Sequence, residues 1–172
     1  MASAERAEAL HDEADVEDLP GVPQSGPLVL FTHLARTTLF LEALQEECLR
    51  PFGLSFVDYS VLRVLRNVGP PHRLSPSRLA DVVLVTTGGM TKIVDRLERA
   101  GFVARTPDPA DRRGVLVALT RRGVTMGDRA SAAYTAGRER VIGRLDAAEI
   151  EAIDVGLRRL LTVFEDDRKG AP

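Results

Sequence analysis

Thr86, Thr87, Thr91, Lys92 and Arg96 stand within eleven residues of one another, in the run Thr86-Thr87-Gly88-Gly89-Met90-Thr91-Lys92-Ile93-Val94-Asp95-Arg96. Hydroxyls and cations at this density suit contacts with base edges and phosphates. The spacing decides which side they occupy. Met90, Ile93, Val94 and Leu97 recur at i, i+3, i+4 and i+7, the stripe by which a helix seats itself on a core. The polar five then point away from the core. Gly88 and Gly89 weaken the first turn by about 1 kcal/mol each but let its amides approach a phosphate closely. A second cluster follows in Asp108-Pro109-Ala110-Asp111-Arg112-Arg113. Its prolines restrict the loop and Asp111 can hold a nearby arginine in one geometry. An arginine so placed fits an A·T-rich minor groove, where the negative potential is strongest.

The elements that must carry these clusters read as follows. Residues 1–20 hold seven acids against one base, and Pro20, Gly21, Pro23, Gly26 and Pro27 follow. This predicts an acidic arm and linker over 1–27, with a short helix near Ala4–His11. A first helix runs from Leu28 to Arg50, with Phe31, Leu34, Thr38, Leu41 and Cys48 close to one stripe, and Pro51 ends it. Ser55 caps a second helix, and Asp58 in its first turn favours the positive helix end. Ser75-Pro76 opens a short third helix. Thr86-Thr87 opens the fourth, which Gly101 stops. The period then changes to that of two short strands, 102–105 and 115–120, joined by an extended hairpin tip from Thr106 to Gly114. A helix from about Arg121 to Leu145 follows. A last one opens at Asp146 and Glu149 as a capping-box variant and carries Ile150, Ile153, Leu157, Leu160 and Phe164, a seam for a partner helix. Asp166 to Pro172 reads as a frayed tail. The fold class is mainly α with a small β-hairpin wing, a winged helix-turn-helix joined to a helical dimerisation region. Its division is 51–120 for the winged unit and 28–50 with 121–166 for the helical region.

The chain carries no nucleophile elbow, phosphate loop or metal motif. Ser75 and Ser77 are explained by helix capping. No catalytic residue, metal or cofactor is therefore expected. His11, His33 and His72 fall in three different elements without ligand spacing. Cys48 is the single cysteine, so no intrachain disulfide forms, and it reads as a buried apolar side chain. No apolar run approaches the roughly 18 residues that span a bilayer, and no signal peptide is legible, which points to a cytoplasmic protein without a membrane partner. The net charge of −2 is unusual for a nucleic-acid binder, yet residues 86–122 hold eight bases against four acids, so the positive charge is local.

Three fragments, in this order, resemble the MarR family of bacterial regulators. They are Leu74-Ser75-Pro76-Ser77-Arg78-Leu79-Ala80, the run Met90-Thr91-Lys92-Ile93-Val94-Asp95-Arg96-Leu97-Glu98-Arg99-Ala100-Gly101-Phe102-Val103, and Asp111-Arg112-Arg113 followed by Leu119-Thr120 and Gly123. The resemblance covers about residues 28–165. It implies an obligate homodimer with interlocked first and last helices and a pseudo-palindromic double-stranded operator. It also implies repression lifted by a small, often anionic or aromatic, effector. By position it makes Thr86, Thr87, Thr91, Lys92 and Arg96 recognition-helix contacts, and Asp111 and Arg113 the wing pair. The Gly-Gly-Met-Thr helix start, the wing and the long arm resemble the urate-responsive branch, whose ligand set Asp58 and Arg105 match. Ile93 stands where that branch has an arginine and no tryptophan is present, so the set is incomplete. A winged-helix scaffold for protein–protein contacts is the alternative, but it has no use for a basic wing tip.

Overall fold

The computed structural model describes residues 25–170. Most of the expected acidic arm, including the helix near Ala4–His11, lies outside the described residues. Helix α1 spans Pro27–Leu49 and tightens into a 3-10 turn over Arg50–Phe52, so Pro51 ends the α-helix without ending the coil. Helix α2 (Phe56–Asn67), strand β1 (Arg73–Leu74), helix α3 (Pro76–Val83) and helix α4 (Thr87–Arg99) follow. Strands β2 (Val103–Asp108) and β3 (Asp111–Leu119) lead into α5 (Arg121–Ile142) and α6 (Ala147–Gly170). The expected order of four helices, a hairpin and two helices is present.

Helix starts follow the side-chain chemistry. Ser55 accepts from the Asp58 N–H at 3.2 Å, while the Asp58 carboxylate accepts from the Ser55 N–H at 3.1 Å, a reciprocal capping box. Ser75 accepts from the Arg78 N–H at 3.3 Å with Pro76 at the first helical position. Asp146 and Glu149 exchange the same two bonds at the head of α6, at 2.8 and 2.9 Å.

Three differences from the sequence reading are instructive. Strand β1 has only two residues, too few to show alternation, and it exists because β3 offers a free edge: Arg73 pairs with Ala118 and Leu74 with Val117, giving the antiparallel order β1-β3-β2. The hairpin tip is short rather than extended. Pairing runs out to Asp108 opposite Asp111, with an irregularity at Pro107 and Asp108, and Pro109-Ala110 alone make the turn. Polar composition hid that pairing. Finally, α6 continues to Gly170 where a frayed tail was expected.

The chain divides after Tyr134 into two compact units. In the first, Leu49, Leu62, Leu65, Leu79, Met90, Val94, Leu97, Val103 and Val117 are fully buried or nearly so, and they draw α1 to α4 and the sheet around one core. Cys48 packs against that core, partly buried. In the second, α6 has no buried residue. Among the described residues no helix is long and apolar enough to cross a membrane.

Candidate nucleic-acid interface

Helix α4 is built to expose one side. Met90, Ile93, Val94 and Leu97 are buried, as the stripe predicts, and Thr87, Gly88, Thr91 and Lys92 are exposed. Thr86 is the N-cap, its hydroxyl accepting from the Gly89 N–H at 3.1 Å. That leaves the Thr86 hydroxyl proton for an outside acceptor. Thr91 donates to the Thr87 carbonyl at 3.1 Å, so its oxygen remains an acceptor for an outside donor. The amide ends of the first turn add positive potential at the same place.

The wing is shaped by its aspartates. Asp108 Oδ1 accepts from the Ala110 N–H and Asp111 Oδ1 from the Arg113 N–H, each at 2.9 Å. Asp111 thus reaches Arg113 through its backbone, where the sequence suggested a hold on a side chain. A Cβ at Gly114 would lie 2.9 Å from the Asp108 Cβ and 3.1 Å from that of Asp111, so the close approach of the two strands needs a glycine there. Arg113 is exposed, and Arg112 lies in β3 beside it.

Asp58 and Arg105 are both engaged by protein groups, and of the two only Asp58 is buried. Asp58 is only 3% exposed. Its Oδ2 takes the Ser55 hydroxyl at 2.7 Å, and its Oδ1 takes Arg96 Nε at 3.0 Å and Nη2 at 2.6 Å. Arg96, expected to face DNA, is therefore anchored to α2, with half of its side chain still exposed. No local spacing announces this pair, because its partners are 38 positions apart. Asp58→Ala removes the cap and the anchor together. Arg96 can rehydrate on its exposed side, so the cost is below that of a fully buried pair. We expect a loss of about 2–3 kcal/mol, a cap and a charge-assisted bond, read as a lowered Tm, with Asp58→Asn losing less because it keeps the acceptor.

Arg105, the other expected ligand residue, ties the wing to α4. Its guanidinium donates to Asp95 at 2.6 Å and to Glu98, and its backbone N–H donates to Glu98 at 2.9 Å. The backbone N–H of Arg105, and then its guanidinium, hold the Glu98 carboxyl below its ordinary 4.5. The hydrogen bond to Asp95, followed by Glu98, raises the Arg105 guanidinium in turn. Since the folded Glu98 value is lowered, its stabilisation is present above pH 4.5 and disappears as pH falls through the folded value. Glu98→Gln should therefore reduce the Tm at pH 7, while the gap between the two proteins narrows on acidification below that point. A gap independent of pH would contradict this account.

The structure thus leaves Thr87, Gly88, Lys92 and Arg113 exposed on the first unit, while Asp58 and Arg105 are engaged by protein groups. Among the described residues no three His, Cys, Asp or Glu side chains converge to hold a metal ion, and His11 lies outside them.

These features agree with what the chain is similar to. The sequence profile of the MarR family matches residues 52–114. The chain is 30% identical over 103 residues to the HTH-type transcriptional regulator PecS of Dickeya dadantii, covering 60% of this chain and 62% of PecS. It is 31% identical over 115 residues to the HTH-type transcriptional regulator PapX of Escherichia coli, covering 67% of this chain and 70% of PapX. Among solved structures, Sco3205 of Streptomyces coelicolor, a MarR family transcriptional regulator crystallised in complex with DNA, superposes with a TM-score of 0.70 at 26% identity. That superposition covers 80% of this chain and 89% of Sco3205. The mainly helical fold with a small antiparallel wing is shared, the matched proteins are named regulators rather than enzymes, and the chain belongs to the MarR family of transcriptional regulators.

Proposed function

We propose that two copies of this chain bind a pseudo-palindromic double-stranded DNA site and act as a repressor that a small organic effector, anionic or aromatic, releases. The observation that carries the DNA reading is the joint exposure, on one compact unit, of the α4 start and of Arg113 on the wing. Thr86, Thr87, Thr91 and Lys92 then meet base edges and phosphates in the major groove. The free Gly88 face brings the helix amides close to the backbone, and Arg112 and Arg113 reach the flanking minor groove.

The homodimer reading rests on α6 and α1. Ile150, Ile153 and Leu157 recur at seam spacing and are exposed in the single chain, as is Leu28. Such faces need a partner. Residues 28–50 and 121–166 accordingly serve as the dimerisation region and 51–120 as the DNA-reading unit. For the effector, an open cleft of about 570 Å³ lies between the end of α1 and the start of α2, lined by Glu42, Glu46, Arg50, Leu54, Ser55 and Phe56 among others, so its apolar wall suits an aromatic group better than its charge suits an anion. Its size suits a small molecule. Ser55 on its wall bonds to Asp58, and Asp58 bonds to Arg96 of α4, so occupancy has a short route to the reading helix.

Selection from a random pool of duplexes tests the DNA reading. It should converge on an inverted repeat whose half-sites lie about one helical turn apart, with affinity falling steeply as salt rises. A pool that stays random, with equal binding to all duplexes, overturns the reading. Aromatic carboxylates titrated into the selected complex then test release.

A further inference from the structure

Leu84 has no structural reason to be a leucine. It ends α3 with φ 59° and ψ 45°, the left-handed conformation. The Val85 N–H reaches back to the Ala80 carbonyl at 3.0 Å, which completes the C-terminal motif whose left-handed position glycine normally fills. A branched side chain is disfavoured there. Nor does the side chain repay the fold by burial, because Leu84 is 86% exposed, the most exposed of the large apolar residues described. A large apolar group has been placed in water at a strained position, two residues before the Thr86 cap of α4. At about 3.8 Å per residue, that is within reach of whatever the start of α4 touches.

We propose that Leu84 is a specificity-determining contact that packs against a thymine C5-methyl at the edge of the major groove. The inference rests on the DNA reading above and deepens it. Every polar neighbour on this side offers donors or acceptors, whereas the C5-methyl is the apolar group that base edges display in that groove. A leucine at the turn supplies a larger apolar surface than the γ-methyls of Thr86 and Thr87 or the aliphatic stem of Lys92. Val82, on the last turn of α3, is also exposed. Backbone strain retained at an exposed position suits a binding residue better than a packing one.

The test uses the duplex selected on the wild-type protein, made once with thymine and once with deoxyuridine throughout. Leu84→Gly fits the left-handed turn and should keep or raise the Tm. Its affinity for the thymine duplex should fall roughly tenfold, the scale of losing a buried leucine side chain. On the deoxyuridine duplex the two proteins should converge, because the methyl is already gone. Leu84→Asn, which also tolerates the turn, repeats the comparison with a polar side chain of similar reach. If the wild type selects no sequence, the DNA reading fails and this one with it. If the wild type binds its duplex and Leu84→Gly binds equally well, or loses the same factor on both duplexes, only the Leu84 contact is overturned.

Discussion

Gly123→Ala should lower the Tm by roughly 10 °C, the largest stability loss expected from a methyl group added at any glycine among the described residues. A Cβ built on Gly123 lies 1.9 Å from the Phe102 carbonyl oxygen, 2.8 Å from its carbon and 3.1 Å from a Leu119 methyl. The two nearest of these atoms belong to the backbone, which cannot rotate away. They are also pinned. The Phe102 carbonyl accepts from the Thr120 N–H at 3.1 Å and from the Thr120 hydroxyl at 3.2 Å. The same hydroxyl proton is shared with the Gly101 carbonyl, at 2.7 Å, and the hydroxyl oxygen accepts from the Gly123 N–H at 3.0 Å. Moving the first turn of α5 away from β2 breaks this corner. Overpacking costs about 1–3 kcal/mol, and the broken bonds add about 1 kcal/mol each. Gly88→Ala is the control, since a Cβ there meets nothing within 4 Å in the first turn of α4. Calorimetry should find it neutral or slightly stabilised. Equal effects at the two glycines would refute the close-approach argument.

Arg113→Ala should weaken binding to the selected duplex by about 1–3 kcal/mol while leaving the Tm unchanged. The wing keeps its shape without this side chain, because Asp108 and Asp111 hold the turn through backbone amides. What is lost is a guanidinium that the fold leaves exposed. An arginine in a narrow minor groove gains from the A·T-rich potential there. Replacing A·T by G·C pairs beneath the wing should therefore weaken the wild type and leave Arg113→Ala almost unaffected. Anisotropy with both duplexes measures this, and a variant that keeps full affinity removes the wing from the interface.

The parts of this fold governed by near neighbours were legible in the sequence. Ser55, Ser75, Thr86 and Asp146 each start a helix through a partner three residues on, a relation that spacing displays. The stripe Met90, Ile93, Val94 and Leu97 likewise fixed which side of α4 is buried. Relations across the chain were not legible. Strand β1 is a strand because of β3, and the Asp58–Arg96 pair depends on how α2 packs against α4. The wing turn was misjudged because Pro, Asp and Arg look like a loop, while the aspartates spend their oxygens on tightening a two-residue turn. Leu84 is equally silent, since neither its φ nor its exposure has a signature in sequence.

The three hydrogen bonds that Arg105 makes to Asp95 and Glu98 join a strand of the wing to the outer face of α4. Helix and wing therefore behave as the two jaws of one caliper with a fixed gap. In the complex proposed above, the site would be gauged by the distance between a major-groove contact and a minor-groove contact, and a tilt of α4 would displace both jaws together.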